Sequence, residues 1–332
     1  MQSLQYLPYN RLGATPNIIV DSVPIESTLV TLSHWPASGC PEDLKADLSA
    51  EIVFNFLSSS HAPRLKSKVE AVSNNHFDED GLVGIFAMLY PEEASAQKEF
   101  LLDIAAAGDF GTYKNREAAQ VAFVLQAWAQ PDKSPLNRGV FRRPYEEVTA
   151  ILYEELLPRF SNLFQRVHFL EQYWKEEDLL LDWSEEAIRN GSITVEEIPE
   201  LDFSVVLTPN SKQWVSGRPE VEGARWTHSI CHQFAVHNAT DSSRILVSDG
   251  RRHDFYYRYE TWVETVARKP KPRLALRSIA ERLNGWEGKK IWTGEDIRDI
   301  VPHLSMDPKA QSKLDVQAVK DALIEFFSTS NG

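Results

Sequence analysis

Apolar positions along the chain change their period several times. Asn17-Ile18-Ile19-Val20-Asp21 is a short continuous apolar run that ends on a carboxylate, and Thr28 to Ser33 is another; each predicts a buried strand. From Pro41 to Leu57, the residues Leu44, Leu48, Ile52, Val53 and Phe56 recur at helical spacing and predict a helix. Val69 to Ser73 predicts a further strand, residues 74–81 a polar loop, and Leu82 to Tyr90 an apolar helix closed by Pro91. Strand, loop and helix in repetition imply an α/β domain with a mainly parallel sheet over residues 1–112.

Beyond that the period is helical almost throughout, from Glu117 to about Asn190, broken by residues 130–135 and by Pro158. Residues 113–195 read as a helical insertion or connector. The character then changes again. Phe203 to Leu207 and Arg244 to Val247 predict strands, and Asp249-Gly250 is a hairpin signal. The run from Arg251 to Val263 alternates as a strand with one wet face would. The tail from Leu274 is helical, with Thr293 to Asp296 a capping box opening one helix. Residues 196–332 therefore form an α+β region, read as a substrate or cap region. The fold class is α/β: a mainly parallel N-terminal domain, a helical middle and a C-terminal α+β region.

Composition narrows the class. In 332 residues, 42% are hydrophobic and 25% charged, as in an ordinary globular protein. Disorder, collagen and coiled coil are excluded. No apolar run approaches the roughly 20 residues of a membrane helix. The opening MQSLQYLPYN has neither a basic nor an apolar signal region, and two cysteines, Cys40 and Cys231, make no disulfide framework. The expectation is a soluble cytoplasmic protein without membrane contact. A net charge of −13 argues against general nucleic-acid binding, yet a local arginine cluster can still hold a small anionic substrate.

The segment richest in chemistry is Asn74-Asn75-His76-Phe77-Asp78-Glu79-Asp80-Gly81, between a predicted strand and a predicted helix. His76, Asp78 and Asp80 alternate, so three ligands can converge from one short loop. Carboxylates with one or two imidazoles suit Mn²⁺ or Mg²⁺ better than a thiolate-rich structural zinc site. The helix start that follows carries partial positive charge. The simpler reading is an Asx-rich loop with Asp80 capping the next helix.

His-x-Asp-x-Asp-Gly-Leu after an apolar strand and before an apolar helix resembles the first metal-binding motif of the DHH phosphoesterase superfamily. Leu101 to Phe110 is similar to the apolar helix and small-residue turn, ending in an aspartate, that those proteins carry later. Residue by residue, His76, Asp78 and Asp80 match the first motif, and Asp109 matches the later aspartate. The Asp-His-His triplet that names the family is absent. In a permuted order, Ile18-Ile19-Val20-Asp21-Ser22 stands in its place, with Asp21 as bridging carboxylate and His34 supplying the second imidazole. The alternative is an uncharacterised bacterial family with this fold in outline only.

The resemblance implies a possible dinuclear Mn²⁺ or Mg²⁺ site and hydrolysis of a small phosphorylated or nucleotide substrate. It implies His76, Asp78 and Asp80 as catalytic and metal-holding residues, with Asp21, His34 and Asp109 as further ligands. It also implies cationic side chains from a C-terminal domain. Arg251, Arg252 and Arg258 beside the Asp249-Gly250 turn are candidates, since arginine makes bidentate phosphate contacts. Arg218 and Arg225 stand behind them, and His232 is a further candidate. Two other readings use the same residues: a non-catalytic ligand-binding or interaction module, and a metal hydrolase of carbon–nitrogen bonds.

Other signals carry less. His228, Cys231, His232 and His237 fit one helix face or one strand face, without the glutamate of a His-Glu-x-x-His site. No nucleophile elbow, dinucleotide fingerprint or phosphate loop occurs. The aromatic run Phe255 to Tyr259 reads as a packed strand, and Trp128, Trp174 and Trp183 as helix-packing residues.

Overall fold

A computed structural model of the chain describes residues 4–65, 67–209 and 225–329. Its contacts separate two units: Met1–Glu176 with Val263–Arg268, and Glu177–Trp262 with Lys269–Gly332. Arg218 lies outside the described residues.

The first unit is built on a sheet of β1 (Gln5–Tyr6), β2 (Asn17–Val20), β3 (Thr28–Leu32) and β4 (Ala71–Ser73). Their order is β1-β4-β2-β3, and every pairing is parallel. β2 and β4 are buried throughout, as expected for parallel strands covered on both faces. The loops that follow β2, β3 and β4 leave from the carboxyl ends of these strands, the edge where open α/β sheets place ligands.

Helix Glu79–Leu89 is apolar on every side from Leu82 onward and is buried along nearly its full length. Gly84 lets it sit against β2, because a Cβ there would lie 2.6 Å from Val20 Cγ1. Phe86 on the same helix meets Phe160 edge-to-face with centroids 5.2 Å apart, worth roughly 0.5–1.5 kcal/mol beyond burial. One continuous core runs from Ile18 to Val167, so the helices from Arg116 to Gln165 pack on the same core as the sheet. The helical stretch is thus shared out: the helix Glu171–Arg189 crosses from the first unit into the second.

A Gly84→Ala protein should be destabilised by about 1–3 kcal/mol, the usual range for overpacking. Val20 is fully buried and β-branched, so it has little freedom to yield. Thermal unfolding measures the effect; an unchanged melting temperature would show that the close approach is not needed.

The helix predicted from Pro41 begins only at Ser49, after a short 3-10 turn at Glu42–Leu44. Pro91 ends one helix and opens the next, Pro91–Ala96.

The second unit has a mixed sheet: β5 (Thr194–Ile198), β6 (Phe203–Leu207), β7 (Arg244–Ser248), β8 (His253–Tyr257), β9 (Trp292–Gly294) and β10 (His303–Met306). The order is β5-β6-β7-β8-β10-β9, with β6 and β7 parallel and the other pairs antiparallel. The β7–β8 hairpin turns at Asp249-Gly250, where Gly250 takes a φ of 89°. β8 does not have the wet face its alternation predicted. Phe255 and Tyr257 pack with Phe327 and Trp292, while Tyr256 packs with Val236 and Ile245, so both faces are covered. Thr293 lies in β9 rather than opening a helix. The tail does contain helices, Leu276–Glu287 and Val316–Thr329. No helix among the described residues is long and apolar enough to cross a membrane.

Candidate metal centre

Asp21 follows β2 directly and holds a φ of 50°, in the left-handed region. For a residue with a Cβ this costs of order 1 kcal/mol and persists where surrounding structure imposes it. Here the surroundings are specific. The Ser49 hydroxyl donates to Asp21 Oδ1 over 2.7 Å and accepts from the His34 backbone N–H over 3.1 Å. Ser49 opens helix Ser49–Ser58, so this helix start ties the ends of β2 and β3 together.

His34 lies just beyond β3. Its Nδ1 is 2.6 Å from the Asp47 carbonyl oxygen. A carbonyl only accepts, so Nδ1 carries the proton and Nε2 turns inward. Nε2 then lies 3.4 Å from Asp21 Oδ1, 3.4 Å from Asp109 Oδ2 and 4.0 Å from Asp80 Oδ2.

Asp80 does not cap its own helix. Its two oxygens accept from Ser49 N and Ala50 N, over 2.7 and 2.8 Å, at the start of helix Ser49–Ser58. The cap of helix Glu79–Leu89 is Asp78, whose Oδ1 accepts from Gly81 N over 2.8 Å. Its other oxygen, Oδ2, is 2.6 Å from His76 Nε2, which also lies 3.2 Å from Asp21 Oδ2. The His76 ring packs on Trp35, centroids 5.0 Å apart.

The two oxygens of Asp21 therefore face two different imidazoles. Two groups result, Asp21–His34–Asp80 and Asp21–His76–Asp78, each with ligand atoms within 4.8 Å of one another. Either group could hold a metal ion, and Asp21 belongs to both. All six metal candidates read from the sequence converge here: Asp21, His34, His76, Asp78, Asp80 and Asp109. Neither Asp21 Oδ2 nor Asp109 Oδ2 makes a hydrogen bond among the described residues, although both atoms are buried. Buried carboxylate oxygens left in that state call for a cation or a proton.

The electrostatics fit that need. Burial disfavours the Asp21 carboxylate, but the contacts and charges of His34 and His76 outweigh it and hold its pKa well below the usual range. Burial likewise opposes charge on His34, yet Asp21 and Asp80 push its pKa up to about 9. His76 moves up too, against burial, under the charges of Asp78 and Asp21. Asp80 and Asp109 are raised by burial and then by neighbouring carboxylates. Protons thus occupy positions between acidic oxygens that a cation would take.

Residues outside the sequence reading complete the surroundings. Glu79 is buried, and burial together with the charge of Asp78 pushes its pKa up to about 8. Tyr153 is fully buried from a distant helix, and a Cβ on Gly81 would lie 2.6 Å from its hydroxyl and 2.2 Å from Asn74 Nδ2. Asn74 and Glu79 sat inside the polar segment already singled out. Nothing in the sequence pointed to Tyr153, whose spacing is that of a core helix residue.

The substrate candidates Arg251, Arg252, Arg258 and His232 lie in the second unit. Arg252 pairs with Asp249 at 2.8 Å and lies over the Trp226 ring. Arg258 is buried, donates to the Thr240 carbonyl and pairs with Glu260. Arg251 is exposed at the hairpin, and Arg225 pairs with Glu295 at 2.9 Å. His232 caps helix Gln233–Ala239 through a ring nitrogen that accepts from Phe234 N, and Cys231 is buried before it. The histidine run is therefore two short helices, Thr227–Ile230 and Gln233–Ala239, rather than one helix face or a strand. Burial pushes the Cys40 thiol up, and that of Cys231 to about 12, which suits neither for nucleophilic work.

Residues 2–331 match the family described as Family of unknown function (DUF6687). The chain belongs to that family. The match to DUF6687 spans both units and every candidate ligand. No curated protein and no solved structure matches the chain. Nothing in these comparisons relates the DUF6687 chain to the DHH phosphoesterases.

Proposed function

We propose that this protein is a divalent-metal-dependent hydrolase of small phosphorylated or nucleotide substrates, with a dinuclear centre bridged by Asp21. The observation that carries the reading is the pair of Asp/His groups sharing Asp21 at the carboxyl ends of parallel strands. The donors are carboxylate and imidazole without thiolate, a set suited to Mn²⁺ or Mg²⁺. Among the described residues, Asp21 Oδ2 and Asp109 Oδ2 are buried and face only the imidazoles of His76 and His34, at 3.2 and 3.4 Å, so a cation bound between them would take the place of imidazole protons.

Two such ions, when bound, provide Lewis acidity at both the attacking and the leaving oxygen of an in-line displacement. The chain's own part is to hold and orient. Asp21, His34 and Asp80 form the deep side, with Asp109 beside His34. His76 and Asp78 keep 18% and 23% of their side-chain surface exposed, whereas Asp21 and His34 keep none. Substrate therefore approaches from the His76–Asp78 side, where the start of helix Glu79–Leu89 adds partial positive charge for a phosphoryl group.

The test is hydrolysis by manganese-loaded protein of a panel of phosphomonoesters, phosphodiesters and nucleotides, beside a matched panel of amides. Manganese-dependent hydrolysis of a phosphate ester or anhydride, read as loss of substrate and lost in Asp78→Ala, is the expected result. Amide hydrolysis alone would move the assignment to carbon–nitrogen bonds. Bound metal without turnover on either panel would favour a non-catalytic binding module.

A further inference from the structure

The segment Val263–Arg268 packs in the first unit although the residues on either side of it belong to the second. It lies along the loop that carries His34. The backbone N–H of Glu264 donates to the His34 carbonyl over 2.8 Å. The Glu264 carboxylate pairs with Lys45 at 3.0 Å and accepts from Ala37 N. Further along, Val266 N and Ala267 N both donate to Asp47 Oδ1, over 2.6 and 2.9 Å. Asp47 in turn presents the carbonyl that receives His34 Nδ1.

The loop from His34 to Asp47 is thus held at both ends by the same six-residue strap. At one end the strap grips the His34 backbone. At the other it grips the side chain of the residue whose carbonyl orients the His34 ring. Two N–H groups donating to one carboxylate oxygen fix the Asp47 side chain, and with it the direction of the Asp47 carbonyl. A carbonyl that swings away leaves the imidazole without the partner that sets its tautomer and angle.

We propose that the strap Val263–Arg268 is a clamp on the candidate metal centre, with Asp47 as the positioning residue through which it orients His34. The proposal rests on the reading of Asp21, His34 and Asp80 as a metal site. Asp47 is not itself one of the ligands, so its removal leaves both ligand groups chemically intact.

The experiment uses the full chain, stripped of metal and titrated with Mn²⁺ alone by calorimetry, with electron paramagnetic resonance counting bound ions. The ¹⁵N–¹H signal of His34 Nδ1 in the metal-free protein reports whether its bond to the Asp47 carbonyl is held. Asp47→Ala should weaken one ion by 10–100-fold, the usual cost of losing an outer partner of a metal-bound histidine, and leave the other near its wild-type affinity. The His34 Nδ1–H signature should be lost or averaged. Asp47→Asn keeps an oxygen acceptor for Val266 N and Ala267 N and should restore most of the affinity. Val266→Pro removes one strap N–H without touching the loop and should reproduce part of the loss, which covers the case of a poorly folding Asp47→Ala. Wild-type protein that binds no Mn²⁺ would sink the metal reading itself. Wild-type binding with unchanged affinity and His34 shifts in Asp47→Ala and Val266→Pro overturns the clamp alone. Equal weakening of both ions, unrelieved in Asp47→Asn, marks a general structural loss and overturns it as well.

Discussion

After dialysis against manganese, wild-type protein is expected to retain two ions, Asp78→Ala one, and Asp21→Asn none. The expectation follows from how the ligands are shared. Asp78 belongs only to the group with His76, so its loss leaves Asp21, His34 and Asp80 in place. Asp21 belongs to both groups, and its two oxygens face the two imidazoles separately. Asparagine at that position has one weakly basic oxygen and no charge, so neither group keeps its bridging ligand. Even outer partners of a metal ligand are worth 10–100-fold in affinity, and a shared first ligand should exceed about 100-fold.

Asn is the right replacement at this position for two structural reasons. It is close to Asp in volume at a fully buried site, and it tolerates the left-handed backbone that Asp21 adopts. Asp78→Ala gives up one capping bond, from Gly81 N, whereas Asp80→Ala gives up two and is the poorer probe. The latter removes the acceptor for Ser49 N and Ala50 N, so about 0.5–2 kcal/mol of capping is lost together with any ligand. Elemental analysis reads the stoichiometry directly. Two ions in Asp21→Asn, or none in Asp78→Ala, would remove Asp21 from its bridging place.

The parts of this arrangement that could be read in the sequence are those set by local pattern. The continuous apolar run ending at Val20 marked a parallel strand covered on both faces, which needs no alternation, whereas the strand ending at Leu32 lies at the sheet edge and leaves Leu29 exposed. His76, Asp78 and Asp80 stood out because three ligand types alternate within one strand-to-helix loop. What local pattern hides is where side chains reach in space. Asp80 looked like the cap of the helix it begins, yet it caps a helix 30 residues earlier in the chain, and Asp78 does the local work. The same limit applies to β8, where alternation of charged and aromatic residues suggested a wet face. Asp254 and Tyr256 are buried there, held by His303 and His237 from other elements. Asp47 and the strap carry no signal of their own, since backbone N–H groups donate whatever the side chain. Tyr153 enters the site as one more buried aromatic on a core helix.

Stability of the metal-free protein should fall as pH rises from about 5 to 8.5, and bound manganese should suppress that fall. His34 has a folded pKa of about 9, above its ordinary value, so its contribution is complete below about 6.5 and is lost as pH rises toward 9. Glu79, at about 8, and the raised Asp80 and Asp109 act in the same direction. Between about pH 4 and 8 the folded chain keeps protons on these carboxyls that the unfolded chain has released, so raising the pH favours unfolding. Asp21 is the exception. Its depressed pKa contributes stability that is present above about pH 4 and is lost only in more acidic solution, outside this window. Each group contributes up to about 1.4 kcal/mol per pH unit over its own titration range. A net loss of at least about 2 kcal/mol, or roughly 3 °C in melting temperature, is expected with chelator present. Manganese takes the place of the protons, so its binding tightens as they leave, and the melting temperature it adds should be larger at pH 8.5 than at pH 6. Differential scanning calorimetry across that range, with chelator and with manganese, separates the outcomes. A metal-free melting temperature that stays level or climbs with pH would mean that these carboxyls are not protonated in the folded chain. An equal manganese increment at both ends would mean that the metal binds without displacing protons, and therefore not among Asp21, His34 and Asp80.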